Sequence, residues 1–233
     1  AGGGAIADLV TGKVTPSGKL AETYPLGLQD TPSAKYFPGS PVTTEYRESI
    51  FVGYRYYDKV GKAVRFPFGY GLSYTQFSYS GLRLSKKAIK QGEELTVSFK
   101  IKNSGKVDGA EIAQVYVAAP ESAIFKAPKE LKGFEKVFLK AGEEKTVEIH
   151  LDERAFAYYD TQAKAWRVES GKYQILVGSS SRDIRLTGSA QVLGTPAPKG
   201  EPEAKKLLPT YYDGRFDRVP DAEFEALLGH PIP

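Results

Sequence analysis

From Phe77 onward the chain alternates apolar and polar side chains, and this period of two constrains the fold more than any other feature. Leu95, Val97, Phe99 and Ile101 interleave with Thr96, Ser98, Lys100 and Lys102. Successive side chains of a strand point to opposite faces, so such a run has one buried face and one wet face. Similar runs recur at Ile112 to Val117, Val137 to Leu139, Val147 to Leu151, Trp166 to Val168, Tyr173 to Val177 and Ile184 to Leu186. Turn chemistry separates them, as at Asn103-Ser104-Gly105 and Ala141-Gly142-Glu143. Seven or so short strands in about 115 residues predict a mainly β protein built on an antiparallel sandwich.

Upstream the rhythm changes. Glu45 to Tyr74, EYRESIFVGYRYYDKVGKAVRFPFGYGLSY, is too aromatic for a solvated loop, while Gly53, Gly61, Gly69, Gly71 and Pro67 break any helical period. This stretch is expected to form a strand over Ile50 to Tyr57, a turn over Asp58 to Lys62, and a glycine-rich corner packing rings at a domain junction. Before it, Gly4 to Val10 has the spacing of a short helix ended by Gly12, whose apolar face needs a partner. Pro16 to Gly18 is a turn, Leu20 to Tyr24 is suited to extended structure, and Leu26 to Thr44 is a surface loop.

After the sandwich, Thr195 to Pro209 has the Pro, Lys and Glu content of an extended linker. Pro220 to Leu228 then forms a short helix with Phe224, Leu227 and Leu228 on one face and Gly229 as its cap. So short a helix must dock on a neighbouring surface. The chain therefore divides at 1–75, 76–194 and 195–233.

Composition narrows the function classes. The net charge of +4 is spread along the chain, and no basic block alternates with aromatics as a nucleic-acid face needs. No apolar run approaches the roughly 20 residues of a membrane helix. Without cysteine there is no thiol nucleophile or thiolate metal site; the redox compartment is left open, leaning to the cytoplasm. His150 and His230 are far apart in sequence, which argues against a histidine metal site or a Ser-His-Asp triad. His150 is expected to face solvent, opposite Val147, Ile149 and Leu151. Gly12, Gly18 and Lys19 imitate a phosphate loop, but the spacing is one residue too long and Leu20 stands where Ser or Thr must hold magnesium. No cofactor is implied.

The wording YRESIFVGYRYYD followed by FPFGYGLSYTQFSYS resembles the join, in glycoside hydrolase family 3, between the α/β sandwich domain and the fibronectin type III-like domain. GGGAIADLVTGKVTPSGKLAETYP is similar to the end of that sandwich domain. KNSGKVDGAEIAQVYV, APKELKGFEKVFLKAGEEKTVEIHL and YYDTQAKAWRVESGKYQILVGSSSRDI resemble the fibronectin-like domain. The resemblance runs over about residues 1 to 193 and implies a piece of a retaining glycosidase, a β-glucosidase first, acting without cofactor on terminal β-linked glucose. A free-standing carbohydrate-binding or protein-interaction module is the alternative. The partners implied are the catalytic barrel and the rest of the sandwich domain, with self-association left open and no nucleic acid or membrane involved. Both ends then read as cuts in a larger polypeptide, and the tail resembles the lead-in of members whose barrel follows the fibronectin-like domain.

A retaining glycosidase needs two carboxyl groups about 5 to 5.5 Å apart in different electrostatic surroundings. The resemblance places both outside this chain, so no catalytic residue is assigned here. Glu48, beside Arg47 and Arg55, is expected to serve a structural ion pair, and Glu45 and Asp58 to be turn or surface carboxylates. Trp166 is expected in the sandwich core rather than as a sugar platform, and Tyr158 or Tyr159 as a corner pin. Ala118 to Pro128, with Ile124 and Phe125 exposed, is the candidate functional loop.

Overall fold

A computed structural model describes residues 2–196, 201–216 and 218–233. The chain opens with helix α1 (Gly2–Val10), ended as expected by Gly12 in the left-handed region. Strand β1 (Tyr24–Pro25) pairs antiparallel with β2 (Val64–Phe66), and Leu20 exchanges backbone hydrogen bonds with Gly69 and Tyr70. Between the two strands lies helix α2 (Tyr54–Lys59), so the strand expected over Ile50 to Tyr57 is not formed.

The reason is geometric. A strand would project Tyr54, Tyr56 and Tyr57 to two opposite faces, whereas a helix fans successive side chains apart by about 100°. Tyr54 thereby reaches Phe68 of the glycine-rich corner and Tyr116 of the sandwich, while Tyr56 packs on Phe216 of the tail. Gly53 starts this helix with φ at 54°, a value that an L side chain rarely adopts.

The sandwich follows as expected, from β3 (Phe77–Leu84), β4 (Ala88–Lys90), β5 (Leu95–Asn103), β6 (Gly109–Ala118), β7 (Glu130–Leu139), β8 (Glu144–Leu151), β11 (Gly171–Ser180) and β12 (Asp183–Leu193). The hairpin β9 (Ala157–Asp160) and β10 (Ala165–Val168) stands apart as its own two-stranded unit. One sheet runs β4-β12-β11-β6-β7 and the other β3-β5-β8; all pairings are antiparallel except β4 with β12. Register places Leu95 opposite Leu151, Val97 opposite Ile149 and Phe99 opposite Val147, and all six are buried. Their layer closes on Val115, Val117, Ile175 and Val177 of the larger sheet. The alternation in the sequence thus reports one buried face.

Strand β6 departs from it. Both of its faces are buried from Ala113 to Ala118, because Tyr54 covers Tyr116 on the outside and Gly69 receives the Gln114 side chain. A Cβ at Gly69 would run into that amide, so a glycine is needed for this close approach.

A second core sits beyond the sandwich. The tail carries α3 (Glu201–Leu207), α4 (Pro209–Asp213) and α5 (Asp221–Leu228). Tyr211, Phe216, Val219 and Phe224 close over Phe51, Tyr56 and Tyr57, with Phe51 and Phe216 centroids 4.8 Å apart. The short C-terminal helix docks as expected, burying Phe224 and ending at Gly229. Of the expected extended linker, residues 201–207 are helical, since Ala, Lys and Leu favour that state; residues 197–200 lie outside the described residues.

Candidate functional site

The junction is held by two buried ionic centres. Arg47 donates from Nε to Glu45 at 2.6 Å, and from one terminal nitrogen to Asp221 at 2.6 Å and to the Val219 carbonyl at 2.8 Å. Its guanidinium lies 5.0 Å from the Tyr36 ring centre and 5.1 Å from that of Phe224. Burial works against this charge, but the Glu45 and Asp221 carboxylates overcome it and hold the Arg47 pKa above its ordinary value. Glu45 is therefore part of the latch that fastens α5, rather than a free surface carboxylate.

Asp58 was also expected on a turn surface, and its side chain is instead 6% exposed. It accepts from Lys129 at 2.7 Å and from Arg182 Nε at 2.8 Å. Arg182 donates further to the carbonyls of Tyr57 and Lys62. One carboxylate thus ties α2 to the start of β7 and to the turn between β11 and β12. Glu48 does not pair with Arg47 or Arg55: it is 7% exposed and its Oε2 has no hydrogen-bond partner, while Arg55 reaches Glu130 at 3.3 Å.

The aromatic candidates move as well. Trp166 is 47% exposed, because β10 lies outside both sandwich sheets and only Val168 of that strand reaches the core. The Arg154 guanidinium covers the indole at 3.4 Å, and Tyr159 meets it edge-on across the hairpin at 5.4 Å. Neither Tyr158 nor Tyr159 is seen to pin a corner; Tyr173 donates its hydroxyl to the Glu169 carbonyl. Glu169 itself had no signal in the sequence. Its buried carboxylate accepts from Ser122 Oγ at 2.6 Å and Ala123 N at 2.7 Å, which fixes the loop after β6. Within that loop Phe125 is packed on Phe51 and Tyr211 rather than exposed, and Ile124 is half-buried. Lys126 sits over the Tyr158 and Tyr173 rings, and burial lowers its pKa. His150 faces solvent as expected and contacts Glu94; His230 is exposed in the tail.

Lys19, rejected above as a phosphate-loop lysine, pairs with the buried Glu111 at 2.8 Å. The pair forms one wall of a cleft of roughly 680 Å³ between the Ser17–Lys19 turn, residues 71–79 and the sandwich edge. Arg185 makes two 2.6 Å contacts with Asp183 on another wall, and Ser179 donates to the same carboxylate. Asp183 is held below the ordinary carboxylate range, chiefly by Arg185, so it stays ionised and cannot serve as a general acid. Among the described residues no group of three or more His, Asp or Glu is placed to hold a metal ion, and no helix is long and apolar enough to cross a membrane.

Comparison with known proteins matches residues 1–74 to the glycosyl hydrolase family 3 C-terminal domain and residues 111–181 to the fibronectin type III-like domain. The thermostable β-glucosidase B of Acetivibrio thermocellus is 55% identical over 193 residues, which is 83% of this chain and 26% of the relative. An exo-α-(1→6)-L-arabinopyranosidase of Bifidobacterium longum aligns with 100% of this chain at 47% identity, over 32% of its own length. Among solved structures, a family 3 β-glucosidase of Bifidobacterium adolescentis superposes with a TM-score of 0.79 at 45% identity, covering 85% of this chain and 30% of that one. β-Glucosidase 3B of Thermotoga neapolitana, solved with α-D-glucose, gives 0.74 at 43% identity, covering 81% and 26%. The chain spans between about a quarter and a third of the length of these relatives.

Proposed function

Because the chain belongs to glycoside hydrolase family 3, we propose that it is the non-catalytic scaffold of a retaining β-glucosidase, with both catalytic carboxylates supplied from outside it. Its segments are a portion of the α/β sandwich domain at 1–75, the fibronectin-like domain at 76–194 and a docking tail at 195–233. The observation that carries this reading is the naked helix α1, none of whose described residues is buried. Ile6 is 64% and Val10 78% exposed, and Leu28, Phe37 and Val42 are exposed too. An amphipathic helix is stable when its apolar stripe is covered, and among the described residues nothing buries this one. The rest of the sandwich domain would be its natural cover, and this supports a scaffold over a free-standing module.

Within such an enzyme the chain's part is to present the sandwich remnant and the fibronectin-like domain as one block, through Asp58 and the tail. That relatives named as a β-glucosidase and as an arabinopyranosidase align with this portion at 55% and 47% identity supports a sugar pocket set elsewhere. The test is turnover of nitrophenyl β-glucoside. The isolated chain should show none, and the full-length polypeptide should show it. Hydrolysis by the isolated chain that vanished in Glu48→Gln would overturn the assignment.

A further inference from the structure

Of the carboxylates between positions 45 and 58, Glu45 and Asp58 each hold a cation, and Glu48 holds none. Glu48 is buried, its Oε2 is closed off without a hydrogen-bond donor, and none of the described residues bonds to its carboxyl group. The two cations closest to it in sequence are committed elsewhere, Arg47 to Glu45 and Asp221 and Arg55 to Glu130. The backbone on either side is anchored. The Arg47 carbonyl accepts from the Tyr211 hydroxyl at 2.8 Å, the Phe51 amide donates to the Glu48 carbonyl at 2.9 Å, and the Phe51 ring is fully buried against Phe216. Between these anchors Ser49 turns the chain with φ at 53°, in the left-handed region that an L side chain rarely adopts.

The surface around this charge is apolar. Tyr46, Ile50 and Val52 are exposed, while Arg47, Glu48 and Phe51 beside them are buried. A carboxylate out of water and without a partner destabilises a fold, and the same carboxylate facing a cation within an apolar rim fixes the register of an interface. The complement of this loop is therefore a basic side chain carried on an apolar surface. An anion or a nucleic acid would be repelled by Glu48, and a wholly apolar partner would leave the charge unpaired. The chain spans 26% of one relative and 32% of another, so there is ample polypeptide in such proteins to supply that surface.

We propose that residues 46–52 are a docking surface for another domain of the same polypeptide, which presents an arginine or lysine to Glu48 and covers Tyr46, Ile50 and Val52. This contact presupposes the scaffold role proposed above and gives it a fixed point.

Hydrogen exchange and thermal melts of the 233-residue chain and of the full-length polypeptide test it. The amides of residues 46–52 should exchange at least about tenfold more slowly in the full-length polypeptide. Glu48→Met replaces an unpaired carboxyl by an apolar group of similar shape. In the 233-residue chain its melting temperature should hold or rise by about 2 to 4 °C, and in the full-length polypeptide it should fall. Glu48→Gln keeps the shape without the charge, so it too should lower the full-length melt, and both variants should cancel the added protection of the loop. A shift of the same sign in both forms would overturn the proposal. So would equal exchange of the loop in the two forms, or a full-length polypeptide indifferent to Glu48→Gln, which would make the contact apolar alone. Loop protection that grows with the concentration of the 233-residue chain would assign the surface to a second copy instead. Absence of β-glucoside turnover by the full-length polypeptide would strike the scaffold role, whereas these shifts are read without turnover.

Discussion

The sandwich and the junction bury aromatic and aliphatic side chains equally well, yet they assemble them in opposite ways. Phe99 meets Val147 through regular antiparallel register between strands that alternate in sequence. Phe51 meets Phe216 across 165 positions, through irregular segments with no period at all. A periodic core is closed by its own strands, whereas the junction core exists only when the tail returns to it. The difference predicts unequal dependence on the last 26 residues.

The largest effect should come from ending the chain at Leu207. Loss of Tyr211, Phe216, Val219 and Phe224 uncovers Phe51, Tyr56 and Tyr57, so α2 and its surroundings should lose hydrogen-exchange protection. Residues 95–101, 147–151 and 175–177 should keep theirs. Equal loss in both regions would break the comparison, and uniform resistance of the intact chain to proteolysis would do so from the other side.

Asp58→Asn comes next, because it leaves Lys129 and Arg182 without the carboxylate they share. Removing one partner of a buried ion pair costs about 3 kcal/mol or more. The loss should appear as two separate unfolding transitions in calorimetry where the intact chain shows one. A single transition shifted as a whole would mean that the regions are coupled by packing alone.

How far the sequence could be read follows the same division. The sandwich strands were legible because each side chain's face depends only on its parity along the strand. Helix α2 was not, because what turns Tyr54 toward Tyr116 and Tyr56 toward Phe216 is a pair of cores separated widely in the chain. Trp166 looked like core because Trp166 and Val168 share parity, and parity does not say that β10 leaves the sheet. Asp58 looked like turn chemistry; its two cations come from Lys129 and Arg182, 71 and 124 residues away. The cleft was hidden for the same reason, since it joins Lys19 to Glu111 and Asp183. The docking of the last helix was legible, since so few turns cannot stand alone.

Arg47→Met sharpens the account of that docking at smaller cost. Methionine keeps an apolar stem between Tyr36 and Phe224 while removing the charge that Glu45 and Asp221 share. Asp221 is largely exposed and returns to water, so the loss should be about 2 kcal/mol, read from protection in α5 with the sandwich unchanged.

The smallest effect is on the sandwich side and depends on pH. Asp183 has its folded pKa held below its ordinary value of 3.8, chiefly by Arg185. A carboxyl depressed in this way binds fewer protons folded than unfolded near that value. Its contribution is fully present well above pH 3.8 and is lost as pH falls from there through the depressed folded value. Both partners are more than a third exposed, so solvent screens the pair and the contribution should be only a few tenths of a kcal/mol. Thermal melts of the chain and of Asp183→Asn should therefore run parallel from pH 7 to about 5 and converge slightly below pH 4. Convergence centred near neutral pH would show that another group titrates there, and that the Arg185 pairing is not what sets the acid limb of the sandwich.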